Sequence, residues 1–210
     1  MRAARLESGG VEEALIRQPV ELRSGALTVL QPEESAELPD AGAVEWAPVA
    51  PYWSVLWRSG VALARELDGE QLRGLRVVEL GCGLAVPSIA AARAGATVLA
   101  TDVSGEALEL VRRNARENEV RIETATVDWT HPGELLRRAP FDLALAADLL
   151  YERPAVAQLL ALLPRIAPAA WLADPGRPAA DAFLEQAERR GWLRETRIRG
   201  VVRIHRLRFG

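Results

Sequence analysis

The chain has 210 residues, 49% hydrophobic and 26% charged, a composition that suits one globular domain with its own core and excludes a disordered or fibrous protein. All 26 Lys/Arg positions are arginine, and with 29 acids the net charge is −3, which gives no general reason to expect nucleic acid. No stretch reaches the ~18 apolar residues of a membrane span and no basic start leads into an apolar segment, so the chain reads as cytoplasmic, and its single cysteine, Cys82, excludes an internal disulfide and a cysteine-built metal site.

Residues 1–50 read as a small amino-terminal extension: a short hairpin, "ELRSGALTVLQP", within an acidic, Pro-rich lead-in, expected to cover the carboxyl edge of the following sheet as a lid. The main domain is expected at 51–210 and opens on a helix within "PYWSVLWRSGVALAREL". From Arg76 short apolar runs alternate with helical stretches, the pattern of a parallel sheet covered on both faces. "RVVEL" (76–80) is the first strand, and Pro87 opens a helix that stops at Gly95. "TVLATD" (97–102) follows, then a helix over 104–118 with Ser104 as its N-cap. "RIETATV" and "FDLALAAD" are the third and fourth strands, "AVAQLLALLPRI" a helix, "AAWLAD" the fifth strand and "DAFLEQAERRG" the last helix. "LRETRIRG" and "VVRIHRLRF" are separated by so little chain that they must pair antiparallel. The predicted architecture is α/β: a Rossmann-like, doubly wound, mostly parallel sheet of seven strands with a C-terminal antiparallel hairpin. Eight arginines and one acid, Glu195, lie between Arg189 and Arg208, either as solvated edge strands or as a patch for an acidic partner.

The turn after the first strand, "ELGCGLAVPS", is where an open parallel sheet places its ligand. A dinucleotide fingerprint requires G-x-G-x-x-G/A, but here Val86 holds the third small position and Glu79 precedes Gly81 and Gly83, where it would repel a pyrophosphate. An acid there suits a ligand with positive charge and no phosphate, and S-adenosylmethionine carries an ammonium and a sulfonium. Asp102, ending the second strand, is placed to accept both ribose hydroxyls, and Asp128 and Trp129, after the third, to hold adenine.

These residues together resemble the class I, seven-stranded methyltransferases, and "ADLLY" resembles the acid-x-x-Tyr motif that the lysine methyltransferase group carries after the fourth strand. The resemblance implies a protein-lysine N-methyltransferase in which Asp148 orients the acceptor amine, Tyr151 walls its channel and Trp57 lies near the cofactor. Pro51-Tyr52-Trp53 and "ADPGRP" (173–178) resemble the branch acting on the β subunit of electron transfer flavoprotein, which makes that protein the expected partner. They also suggest Trp53, Asp174 and Arg177 as substrate-binding residues. Other readings stay open: Asp148 as an N-cap, "DPGRP" as a plain turn, Trp53 as a core aromatic, and a small-molecule N-methyltransferase or a non-catalytic RNA- or protein-binding module on the same fold. His131 and His205 lack ligand-like spacing, so no metal is expected. No Pro-Cys or Asn/Asp-Pro-Pro-Tyr/Phe motif follows the fourth strand, which argues against base and glutamine chemistry.

Overall fold

The apolar runs after Arg76 become strands of one sheet, and the alternation within each strand decides which helices cover which face. The computed structural model describes residues 14–36, 51–151 and 153–209. An antiparallel hairpin, β1 (Leu15–Val20) and β2 (Leu27–Pro32), is followed by α1 (Glu33–Ala36), a 3₁₀ turn at Tyr52–Ser54 and α2 (Arg58–Leu67). Then come β3 (Arg76–Leu80), α3 (Val86–Arg93), β4 (Thr97–Asp102), α4 (Gly105–Glu117), β5 (Ile122–Thr126) and α5 (Gly133–Arg138). The chain continues through β6 (Leu143–Ala147), α6 (Arg153–Ile166), β7 (Ala169–Asp174), α7 (Pro178–Arg189), β8 (Leu193–Arg199) and β9 (Val202–Arg208).

The main sheet has the order β5-β4-β3-β6-β7-β9-β8, with β9 antiparallel to both its neighbours. The order reverses between β3 and β6, so a crevice opens beyond their carboxyl ends. Val78 and Leu80 face the layer of α5, α6 and α7, while Val77 faces α2 and α3. That two-residue alternation between two apolar layers is what buries the central strands on both sides. Ser104 caps α4 as expected, its Oγ accepting from Ala107 N–H at 3.1 Å.

The hairpin departs from its expected place. It starts at Leu15, residues 21–26 form its connection, and it lies along α3 and α4 rather than across the carboxyl edge. Leu27, Val29 and Leu30 of β2 are buried and need the apolar sides of those helices. Asn114 and Asn118, one turn apart on α4, satisfy the β2 backbone: Leu30 N–H donates to Asn114 Oδ1 at 2.6 Å and Thr28 N–H to Asn118 Oδ1 at 2.9 Å. The other parts of the expected lid, 1–13 and 37–50, lie outside the described residues.

The arginine-rich hairpin β8–β9 is tied inward by ion pairs. Glu66 of α2, its side chain 6% exposed, accepts from Arg197 at 2.7 Å, Arg199 at 2.9 Å and Arg206 at 2.8 Å. Arg206 also reaches Glu70 at 2.6 Å and lies 3.8 Å above the Trp171 ring. Arg194 pairs with Glu188 and Arg203 with Asp181. Among the described residues, five of the eight arginines therefore have acidic partners. Among the described residues no helix is long and apolar enough to cross a membrane.

Burial alone would push the Glu66 carboxyl up, but the hydrogen bonds from Arg197, Arg199 and Arg206 outweigh it and hold the group below its ordinary value. Glu66→Gln leaves three guanidinium groups crowded around a neutral amide. Urea denaturation should show a loss of about 1–3 kcal/mol at pH 7, less than a fully buried pair would cost because Arg197 and Arg199 are partly solvated.

Candidate active site

The β3–α3 turn is built around left-handed backbone. Gly81 (φ +53) and Gly83 (φ +48) alternate with ordinary residues, and Ala85 (φ +59) leads into α3. A Cβ on Gly83 would stand 2.9 Å from the Trp53 carbonyl oxygen, a backbone atom with little room to move. One on Gly81 would stand 2.5 Å from Leu149 Cδ2. Gly83 is therefore required by space as well as by φ, whereas at Gly81 the Leu149 side chain could give way and φ is the firmer constraint.

Side chains from neighbouring elements fasten this turn. Asp102, at the end of β4, accepts Gly83 N–H through Oδ2 at 2.9 Å and Ser104 N–H through Oδ1 at 3.0 Å. Glu79 is 2% exposed and points its carboxyl at the start of α3, where Oε2 accepts from Ser88 N–H at 2.9 Å and from the Ser88 hydroxyl at 2.5 Å. Burial pushes the Glu79 carboxyl up to about 8, the charge of Asp102 adding to the effect and the Ser88 hydrogen bonds opposing it. Burial also pushes the Cys82 thiol up, which keeps it protonated and unreactive within the turn.

A cavity of about 570 Å³ lies over the turn at the carboxyl ends of β3, β4 and β6. Ten of the twelve residues singled out in the sequence line it: Trp53, Trp57, Glu79, Gly81, Gly83, Asp102, Asp128, Trp129, Asp148 and Tyr151. Trp57 donates its indole N–H to the Tyr52 carbonyl at 2.9 Å. The Tyr52 ring lies 6.4 Å from Trp57 and 6.0 Å from Tyr151, which sets three aromatic rings along the rim. Tyr52 and Tyr151 are each more than half exposed. Asp128 spends Oδ1 on the Thr130 N–H and hydroxyl at 2.8 and 2.7 Å, and these hydrogen bonds hold its carboxyl below the ordinary value.

Asp174 and Arg177 do not line the cavity. Asp174 is 2% exposed, and its Oδ1 accepts Gly176 and Arg177 N–H at 2.5 and 2.7 Å. It holds the turn rather than facing a substrate, and burial pushes its carboxyl up. Arg177 donates to Asp148 Oδ1 behind the cavity wall. Asp148 is itself left-handed (φ +59) and buried, yet it lines the cavity. His131 is exposed beside Asp128, and His205 is buried against the Thr196 hydroxyl at 2.9 Å. Among the described residues no group of three or more His, Cys, Asp or Glu side chains is placed to hold a metal.

A lysine methyltransferase family profile matches residues 51–170, more than half of the chain and the whole of the segment that builds the cavity. The chain belongs to the lysine methyltransferase family. It is 36% identical over 111 residues to the electron transfer flavoprotein β-subunit lysine methyltransferase of Xenopus laevis, covering 51% of this chain and 44% of that protein. It is 31% identical over 114 residues to the histone-arginine methyltransferase METTL23 of Homo sapiens, covering 51% and 60%. The chain spans about half the length of the first curated relatives it matches. Among solved structures it resembles magnesium protoporphyrin IX methyltransferase from Synechocystis with bound SAM, with TM-score 0.56 and 21% identity over 72% of this chain and 78% of that one, which shows the shared fold. S-adenosylmethionine is the cofactor of such methyltransferases, and the cradle fits it in kind: a cationic, phosphate-free ligand meets Glu79 and Asp102 and no basic side chain among the cavity-lining residues.

Among the other lining residues, Val103 and Leu149 were not singled out from the sequence, and Tyr52 entered only as part of Pro51-Tyr52-Trp53. Val103 follows Asp102 and is 70% exposed, an apolar surface turned toward the ligand space. Its signal was an apolar residue directly after a strand-end acid. Leu149 closes over Gly81, and Tyr52 completes the aromatic rim. No spacing rule marks either, because both depend on how the loops fold back.

Gly83→Ala should cost about 1–3 kcal/mol in urea denaturation and abolish cofactor binding by calorimetry, since the turn must shift against the Trp53 backbone. Glu79 gives a second expectation. Its folded value lies above that of the unfolded chain, so its contribution to stability is full below pH 4.5 and is lost as pH rises to about 8. Glu79→Gln should remove that part of the slope, on the order of a few kcal/mol, when urea midpoints are compared across pH 5–8.5.

Proposed function

We propose that the chain is an S-adenosylmethionine-dependent protein-lysine N-methyltransferase, with the β subunit of an electron transfer flavoprotein as the first acceptor to test. The observation that carries this reading is the pairing of Asp148 with Tyr151 on the wall of the cavity whose floor is the glycine turn. The Xenopus relative's name supplies the acceptor.

When bound, S-adenosylmethionine supplies a methyl group on a sulfonium, open to in-line attack by a nucleophile. The chain's own residues do the rest by holding and orienting. Asp102 has one lone pair of each oxygen already fixed by a backbone N–H, and its remaining lone pairs would be free to hold the ribose hydroxyls. Glu79 lies where a cationic ligand favours its ionised form. Trp57, Val103, Asp128 and Trp129 line the same cavity and would hold the rest of the cofactor. Asp148 accepts a hydrogen bond from the acceptor amine and turns its lone pair toward the methyl group, while Tyr151 and Tyr52 offer ring faces to a cationic side chain entering the rim. A lysine is mostly protonated at neutral pH, so the ammonium that the exposed rim admits must release a proton to solvent before its lone pair can attack.

The exposed rim favours an acceptor carried on a large partner over a small molecule enclosed on all sides. The inward pairing of the β8–β9 arginines speaks against the RNA-docking alternative.

Asp102→Ala should weaken S-adenosylmethionine binding at least tenfold by calorimetry, through loss of charge-assisted hydrogen bonds. Asp148→Asn should bind the cofactor as the wild type does and lower kcat by roughly 100-fold or more. Both are read with radiolabelled methyl transfer to recombinant flavoprotein β subunit and to a cell extract fractionated into protein, nucleic acid and small molecules. Methyl-lysine in protein, absent with Asp148→Asn, is the expected result. Label confined to small molecules would overturn the protein-lysine reading.

A further inference from the structure

The turn at residues 174–177 lies behind the cleft and reaches its wall through one side chain, Arg177, which donates to Asp148. Asp174 anchors it from within, and Gly176 (φ +92) packs where a Cβ would stand 3.1 Å from the Arg203 guanidinium. Arg203 is in turn paired with Asp181 on the first turn of α7 at 3.2 Å. Arg177 precedes Pro178, which begins α7 and keeps the Arg177 backbone extended (φ −71, ψ 149). Backbone, preceding turn and following helix are thus all constrained, and the side chain projects from a rigid mount.

That side chain is 20% exposed and lies between two acids. Its Nη1 donates to Asp148 Oδ1 and stands 3.5 Å from Asp174 Oδ2, an oxygen that is buried without a hydrogen-bond partner. Asp148 occupies a left-handed conformation (φ +59), one that Asp adopts more readily than most residues with a Cβ. Its N–H is held by the Ala173 carbonyl at 2.9 Å. Asp148 is therefore gripped from β7 through its backbone and from the α7 mount through its carboxylate.

We propose that Arg177 is a positioning residue: it holds Asp148 by Oδ1 from behind the wall, so that Oδ2 is the oxygen presented to the acceptor. The inference rests on Asp148 facing the acceptor in the proposed reaction. Arg177 touches neither cofactor nor acceptor and acts through Asp148. The arrangement also carries a preference among acceptors. A guanidinium pairs best with both oxygens of a carboxylate, in a fork, whereas a primary amine needs one. With Oδ1 already taken by the chain's own arginine, the single remaining oxygen matches an amine.

A double-mutant cycle tests this, with kcat measured for methyl transfer to recombinant flavoprotein β subunit, or to the labelled protein of the extract if the subunit is not an acceptor. Arg177→Gln should lower kcat roughly 10- to 100-fold, with KM for S-adenosylmethionine unchanged, and Arg177→Lys should restore part of the loss. In the Asp148→Asn background either substitution should cost no more than about twofold, because the group through which Arg177 acts is already disabled. A merely structural arginine would give losses that multiply in the double variant and a KM that rises with them, and that result would overturn the inference. Wild-type kcat in Arg177→Gln would do the same. If Arg177→Gln does not fold, the cycle is closed with Arg177→Lys, whose loss must likewise vanish beside Asp148→Asn. A wild-type chain that methylates no protein would overturn the acceptor reading and the inference together, whereas a methylating wild type with multiplying losses would overturn the inference alone.

Discussion

The floor of the cleft is five residues of backbone, 81–85, that alternate into left-handed conformation, and several neighbouring elements fasten to it. Asp102 holds the turn from β4 and Trp53 crowds it from the segment before α2. Asn114 donates to the Leu84 carbonyl from α4 while its other contacts hold β2. A turn this strained persists because its surroundings over-determine it. The amino-terminal hairpin, remote from the cleft, thereby belongs to the support of the cleft floor through a single asparagine.

The acids of the site share one arrangement. Glu79 is bound by Ser88, Asp102 by Gly83 and Ser104, Asp128 by Thr130, and Asp148 by Arg177. Each carboxylate spends part of its hydrogen-bonding capacity on the chain, and in the proposed reaction the rest would serve a ligand. Orientation is settled in advance, so less ordering remains to be done when cofactor and acceptor arrive. The same economy accounts for the different environments: the buried Glu79 is pushed toward the neutral form, and the exposed Asp128 is held in the ionised one.

The order of elements from Arg76 onward was legible because strands buried on both faces must be short apolar runs and the helices between them carry their own stops. The strand-end acids were legible for the same reason, since a strand's last residue reaches the crevice whatever its neighbours do. Helix α5 was not legible, as six residues with one buried leucine make no periodic pattern. The hairpin was misplaced because its first strand, "LIRQPV", carries its apolar residues at the ends, and only the partner strand and two asparagines on α4 define its register. Asp174 and Arg177 stood out as charges in a turn, but a turn's sequence does not say whether its side chains point out to a cleft or back into the wall. Direction came from the fold.

The clamp around Glu66 has a further property that follows from its being built of arginine alone. A guanidinium does not give up its proton in any solution a folded protein meets, whereas an ammonium in the same place would do so in strong alkali. The cationic side of the clamp that ties β8 and β9 to α2 therefore has no alkaline limit. The clamp itself loosens only from the acid side, when Glu66 takes up a proton, while β9 stays paired with β7.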